Sequence, residues 1–160
     1  MKRLFLLLAL GCSAAQADSL APVGEGTLRW FGLKVYEARL WTAGGAPDLA
    51  RPLRLELRYA RALRGAAIAE RSDQEISRLG FGSPEQRAAW SAAMRNLFPD
   101  VAPGDTLVGE HLPGRGARFL RNGAPLGEIA DAEFSRAFFS IWLDPRTSAP
   151  DLRAALIGRP

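Results

Sequence analysis

The stretch Gly24-Glu-Gly-Thr-Leu-Arg-Trp-Phe-Gly-Leu-Lys-Val-Tyr-Glu-Ala-Arg-Leu-Trp41 decides how the rest of the chain is read. Aromatic and β-branched residues in two short runs, broken by a glycine, predict two strands and a tight turn. The strands run from Thr27 to Phe31 and from Leu33 to Trp41. Working outward, Leu53, Leu55, Leu57 and Tyr59 alternate with Arg54, Glu56 and Arg58. That period of two is a third, half-buried strand.

From Arg64 to Leu79 the pattern turns helical, with Ala67, Ile68, Ile76 and Leu79 as its apolar positions and Gly80-Phe81-Gly82 as its stop. Ser83-Pro84-Glu85-Gln86 starts a second helix: Ser83 caps, Pro84 takes the first helical position and Gln86 completes a capping box. Trp90, Ala93, Met94 and Leu97 share one face of it, and Pro99 ends it. Asp105 to Leu112 reads as a strand. Arg115 to Arg121 and Ala124 to Ile129 form a hairpin about Asn122-Gly123, a type I′ turn signal. Asp131 caps a third helix with the stripe Phe134, Ala137, Phe138, Ile141 and Trp142. Phe139 and Leu143 widen the stripe, so this helix is expected to be buried on more than one side. Ser148 to Ile157 is a last short helix, stopped by Gly158. Strands in runs, with helices segregated from them, predict an α+β domain with a largely antiparallel sheet.

The N-terminus has a secretory layout. Lys2 and Arg3 precede the apolar run Leu4 to Leu10, and Ala15-Gln16-Ala17 is a small-x-small cleavage site. Residues 1–17 are therefore expected to be a signal peptide and 18–160 the domain, exported to the periplasm with Asp18 as its first residue. The apolar run is far below the ~20 residues that cross a bilayer, so no transmembrane segment is expected in the mature chain. Ala9-Leu10-Gly11-Cys12 offers a competing reading as a lipobox acylated at Cys12; the soluble product is preferred because a well-formed cleavage site follows. Cys12 is the only cysteine, so the soluble product would have neither disulfide nor thiol nucleophile.

The formal charge of +4 includes Lys2 and Arg3. The remaining basic residues are nearly all arginines interleaved with acids, with no run of five, which gives nucleic-acid binding no positive support. His111 is the only histidine, which excludes a His-based metal site, and it reads as a structural or surface residue. No G-x-S-x-G places a serine nucleophile. Gly24-x-Gly26, Gly80-x-Gly82 and Gly114-x-Gly116 are too short for phosphate loops and read as turn glycines. Glu70, Asp73 and Glu75 read as solvated charge on a helix rather than a cation site. No metal and no cofactor is expected.

Three blocks together resemble the chalcone isomerase-like family, in its bacterial, exported branch. The first is the opening hairpin, with G-x-G before one strand and Lys34-Val35-Tyr36-x-Ala38-x-Leu40-Trp41 in the next. The second is Trp90-x3-Met94-x2-Leu97-Phe98-Pro99-Asp100-Val101-x2-Gly104-Asp105. The third runs from Asn122-Gly123 through Gly127-x-Ile129 and Phe134-x2-Ala137-Phe138-Phe139-x-Ile141-Trp142-Leu143 to Leu156-Ile157-Gly158. The resemblance covers about all of the chain after residue 17. It implies an antiparallel sheet with helices packed on one face.

In the plant-type enzymes of the superfamily a phenolate closes onto an enone. A guanidinium, a Thr and a Tyr stabilise the developing charge, with a Lys and an Asn nearby on the first helix. The position of that Arg is Leu28 here. Arg29 is next to it but would face the other side of a regular strand, and only a bulge would re-aim it. The Thr position corresponds to Tyr36. Ala62 to Glu70, where the helical Tyr, Lys and Asn would fall, contains none of them. Losing one such donor typically costs about 2.7–4 kcal/mol of transition-state stabilisation, so flavanone formation is not expected.

In non-isomerase members of the superfamily a hairpin Arg and Tyr hold a fatty-acid carboxylate, and Tyr36 looks like that Tyr. The expected ligand-binding residues are Arg29, Tyr36 and Arg61 for a carboxylate, with Trp30 and Trp41, next to Phe31, as an aromatic wall. Tyr36 is also the one candidate catalytic residue. The leading reading is a non-catalytic binder of an apolar or carboxylated, lipid-like small molecule. The alternatives are an isomerase or intramolecular lyase acting on an enone-like substrate, and an envelope structural or interaction module without ligand. Oligomeric state is not legible in the sequence.

Overall fold

The computed structural model describes residues 19–159. The expected signal peptide, its cleavage site before Asp18 and Cys12 lie outside the described residues. The described chain runs β1 (Ala21–Trp30), β2 (Leu33–Thr42), β3 (Leu53–Tyr59), α1 (Gly65–Leu79), α2 (Pro84–Leu97), β4 (Thr106–Leu112), β5 (Gly116–Arg121), β6 (Ala124–Ile129), α3 (Ala132–Leu143) and α4 (Pro150–Leu156). All strand pairs are antiparallel and the sheet order is the chain order, β1-β2-β3-β4-β5-β6. Each strand can therefore reach its neighbour through a short connection or through the α1–α2 excursion between β3 and β4.

Strand alternation gives the sheet one apolar and one charged face. The register aligns Gly24, Leu40, Leu55, Gly109, Phe119 and Gly127 in one row across all six strands. At the glycines of that row α4 lies against β1 at Gly24, Phe139 of α3 against β4 at Gly109 and Leu97 of α2 against β6 at Gly127, so the helices cover a single face. On the opposite face Trp41, Arg54, Glu110, Arg118 and Glu128 form a row of alternating charge. Arg118 bonds Glu110, and Arg115 reaches Glu128 at 2.7 Å.

The α3 stripe is the centre of the core. Phe134, Ala137 and Phe139 are fully buried, and Phe138 packs edge-on against Phe119, Phe139 and Trp142. Burial of Ser135 and Ser140 beside these rings fits a helix enclosed on more than one side. The capping signals act as read: Ser83 Oγ accepts from Gln86 N–H at 3.1 Å and Gln86 Oε1 from Ser83 N–H at 2.9 Å. Asp131 caps α3 through Phe134 N–H at 3.0 Å and also accepts from the Trp90 indole at 2.9 Å. Asp100 Oδ1 accepts Gly65 N–H at 2.8 Å and so caps α1 from 35 residues away. That bond gives the Leu97-to-Val101 block a physical role: it ties the end of α2 to the start of α1.

Three expectations need correction. β1 begins at Ala21, so Gly24 and Gly26 lie inside a strand and are not turn glycines. They lack side chains because α4 crosses β1 there, with Ala155 and Leu152 against them. α4 begins at Pro150 rather than Ser148, whose hydroxyl donates to Glu75 instead. Glu75 itself is buried, not solvated.

His111 is buried on the helix-covered face. Its Nε2 lies 2.7 Å from the Leu49 carbonyl and its Nδ1 2.6 Å from Ser135 Oγ. A carbonyl only accepts, so Nε2 carries the proton and Nδ1 accepts from the serine. Burial lowers the imidazole pKa against the raising effect of the Leu49 bond, and Arg136 lowers it further. The unfolded imidazole takes a proton below about pH 6.5, whereas the folded one resists. Stability should thus fall on acidification below about pH 6.5, by up to about 1.4 kcal/mol per pH unit until the folded group also protonates. Because the chain has one histidine, His111→Gln should be less stable yet nearly flat between pH 7 and 5.5 in thermal melts. An unchanged slope in the variant would sink this assignment.

Candidate functional site

α1 rests mainly on α2 and α3 rather than on the sheet. Beneath it lies a cavity of about 800 Å³, bounded by residues of all six strands of the sheet, the inner side of α1, α3 and the loop before α4. That volume is within the usual range for small-molecule sites, ~300–1,000 Å³. The deep part is apolar: Leu55, Leu57, Phe98, Phe119, Phe138 and Ile141 line it. One flank is polar, with Tyr36 from β2, Arg71, Ser72 and Glu75 from α1, and Ser148 from the loop.

Tyr36 is buried, and its ring stands edge-on to Tyr59 at 5.6 Å. Its hydroxyl accepts from the Trp142 indole N–H at 3.0 Å. That leaves the phenol proton to be donated elsewhere. Burial pushes the Tyr36 pKa up to about 12, against lowering by the Trp142 bond and Arg71; Glu75 adds to the rise. Tyr36 is therefore a neutral donor at physiological pH and not a base. Burial also raises Tyr59, with Tyr36 contributing.

Glu75 is held from three sides. Arg71 Nη2 reaches its Oε1 at 2.8 Å, Arg78 Nη2 its Oε2 at 3.0 Å, and Ser148 Oγ donates to the same Oε2 at 2.9 Å. Two guanidiniums on one carboxylate leave the cluster with a net positive charge. The Arg71 side chain is 65% exposed, so it can turn donors toward a ligand while Arg78 keeps Glu75 satisfied. Tyr36 and Arg71 together form a pair of donors for an anionic oxygen at the edge of an apolar space.

Arg29, Trp30 and Tyr36 line the cavity. Leu28 pairs with Tyr36 but Arg29 pairs with Lys34, so Val35 is an extra residue in β2. At this bulge both Leu28 and Arg29 border the cavity, which a regular strand would not allow. The Arg29 guanidinium itself donates to the Gly32 carbonyl at 3.3 Å and is exposed. Two expected residues lie elsewhere. Trp41 is on the charged face of the sheet, with the Arg54 guanidinium 5.4 Å from its ring centroid, because its parity in β2 is opposite to that of Tyr36. Arg61 is exposed in the loop between β3 and α1 and is not part of the lining.

Arg71, Glu75, Trp142 and Ser148 belong to the site although the sequence reading did not select them. The i, i+4 spacing of Arg71 and Glu75 was the available signal, and it is also that of a surface ion pair. Among the described residues no cluster of His, Cys, Asp and Glu could hold a metal ion. No described helix is long and apolar enough to cross a membrane.

The sequence model of the chalcone isomerase-like family matches residues 14–158. A protein of Haemophilus influenzae described only as uncharacterized is 32% identical over 160 residues, which cover 99% of this chain and 78% of that one. Among solved structures, a fatty-acid binding protein of Arabidopsis thaliana superposes with a TM-score of 0.66 over 88% of each chain, at 12% identity. At that identity the likeness is one of fold.

Proposed function

The chain belongs to the chalcone isomerase-like family, and from that premise we propose that it binds, without chemical change, a lipid-like molecule with an apolar body and an anionic head. The observation that carries the reading is the cavity of about 800 Å³ between sheet and α1, apolar at depth and edged by Tyr36 and Arg71. An interior filled by side chains would have favoured a module without ligand. The fatty-acid binding activity named for the Arabidopsis neighbour is of the same ligand class. The carboxylate or similar head would accept from the Tyr36 phenol and the Arg71 guanidinium, and the acyl body would lie along Leu57, Phe119 and Phe138. Arg29 and Trp30 would border the entrance. The working compartment in this proposal is the periplasm, reached by cleavage after Ala17.

Native mass spectrometry of protein isolated from the cell envelope fraction tests both parts. Expected is an extra mass that is lost on denaturation and fragments as a fatty acid or related amphiphile. The denatured mass should correspond to a chain beginning at Asp18. Protein that is ligand-free, and that also fails to take up a C16 fatty acid in titration, would overturn the binding reading. An acylated Cys12 or an intact leader would overturn the soluble-export reading and leave the cavity reading standing.

A further inference from the structure

The tip of the β1–β2 hairpin is built against its own stability. Its turn residues Phe31 and Gly32 have φ of 48° and 75°, and those of the β5–β6 hairpin, Asn122 and Gly123, have 48° and 81°. The two turns share a backbone geometry. Asn-Gly is the favoured solution for it, because Asn tolerates a left-handed φ. A bulky aromatic residue there is a genuine outlier. Phe31 gains nothing from burial in return: it is 89% exposed. Trp30 and Leu33 beside it are 69% and 54% exposed, and these three are the exposed large hydrophobic residues among those described.

The surroundings of the tip are cationic. Arg29 precedes it and Lys34 follows it. Ala60 N–H donates to the Val35 carbonyl at 2.9 Å, which brings the exposed Arg61 alongside. Lys34 is paired with Glu37, and Glu70 of α1 borders the same cavity as Arg29 and Trp30. Among the described residues neither Arg29 nor Arg61 is in an ion pair, so both add positive charge around an aromatic tip.

We propose that this tip docks on an anionic phospholipid surface. Trp and Phe at a bilayer interface, ringed by Arg and Lys, combine the two attractions that hold interfacial segments: apolar insertion and contact with anionic headgroups. Three side chains on a hairpin end offer roughly 500 Å² at most, against the ~800 Å² per partner of a stable protein interface. A second copy of the chain is for that reason the weaker occupant. The docking stands independently of what the cavity holds. If the ligand reading also holds, the contact of Arg29 and Trp30 with the cavity would set its entrance against the lipid.

The test is sedimentation of the purified full chain with sucrose-loaded vesicles, comparing phosphatidylcholine alone with phosphatidylcholine containing ~30% phosphatidylglycerol. Expected is at least ~10-fold stronger partitioning to the anionic vesicles, weakened by salt. Phe31→Asn combined with Trp30→Ser should abolish most of that binding. Phe31→Asn alone should melt no lower than the wild type, and up to a few degrees higher, which separates loss of docking from loss of fold. Because all variants carry the same N-terminus, its contribution cancels in the comparison. Equal binding to both vesicle types, or binding that survives the double substitution, overturns the proposal. A dimer in velocity sedimentation that disappears in the double variant, without vesicle binding, assigns the tip to self-association and overturns it as well.

Discussion

Gly24→Ala is expected to lower stability by about 3 kcal/mol, seen as a drop of roughly 10 °C in the unfolding midpoint. A Cβ at Gly24 would lie 2.2 Å from the Ala155 carbonyl oxygen and 2.6 Å from that of Leu156. Both are backbone atoms of α4 and its end, so no side-chain rotation relieves the clash. α4 would have to lift from β1 and draw the buried Leu152 and Leu156 out of the core. Gly26 is the internal control. A Cβ there meets Ala155 Cβ at 2.8 Å and Leu152 Cδ1 at 2.9 Å. These are side-chain atoms, and the leucine end can move, so Gly26→Ala should cost only about 1 kcal/mol. Equal losses in the two variants would mean that α4 is not seated by close approach to the strand.

The same pair of glycines marks the boundary of what was legible in the sequence. Their spacing resembles a turn or a fragment of a phosphate loop. Their actual cause, a helix some 130 residues later in the chain, leaves no local signature. What rests on local rules was readable: the period of two in Leu53–Tyr59, the Ser83–Gln86 box and the Asn122-Gly123 turn all specify their own geometry. Trp41 was readable too, by parity. Tyr36, Ala38 and Leu40 face the helices, so an odd-numbered neighbour in the same strand had to face away. Arg29 shows the opposite situation. Parity alone sends it outward, and the bulge that inserts Val35 changes that locally. No residue type in Leu33–Tyr36 requires a bulge; the Ala60 contact on the other edge of β2 is part of what holds it.

Glu75 and its partners were hidden for a related reason. On α1 alone, Arg71, Glu75 and Arg78 make the i, i+4 and i, i+3 pattern of an exposed helix face. Burial comes from the α3–α4 loop, whose Ser148 closes over the carboxylate. The polar flank of the cavity therefore appears only when residues 36, 71, 75, 142 and 148 are assembled from three regions of the chain. Tyr36, Arg29 and Arg71 all line the cavity, whereas the exposed Arg61 lies outside the lining, and the guanidinium whose charge acts on the Tyr36 phenol is that of Arg71 on α1.

That placement leads to the largest functional effect expected. A fluorescent C16 fatty acid should bind the wild type about 10- to 100-fold more tightly than the corresponding neutral alcohol, because charge-assisted hydrogen bonds contribute about 1.5–3 kcal/mol. Arg71→Met should remove most of that preference while leaving alcohol binding nearly unchanged. The Glu75 carboxylate keeps Arg78 and Ser148 in this variant, so it is not left buried and unpaired. Tyr36→Phe should reduce acid binding by about 3- to 10-fold, the loss of one donor, with Trp142 losing its acceptor as a second consequence. The Tyr36 pKa of about 12 keeps the phenol protonated across the working range. Acid binding should accordingly be flat from pH 6 to 9 and fall only where the ligand carboxylate itself gains a proton. A decline between pH 7 and 9 would mean that a group other than this phenol and guanidinium holds the head. If Arg71→Met instead weakened acid and alcohol alike, its role would be to shape the cavity wall, and the anion would have to be received by a group other than this α1 guanidinium.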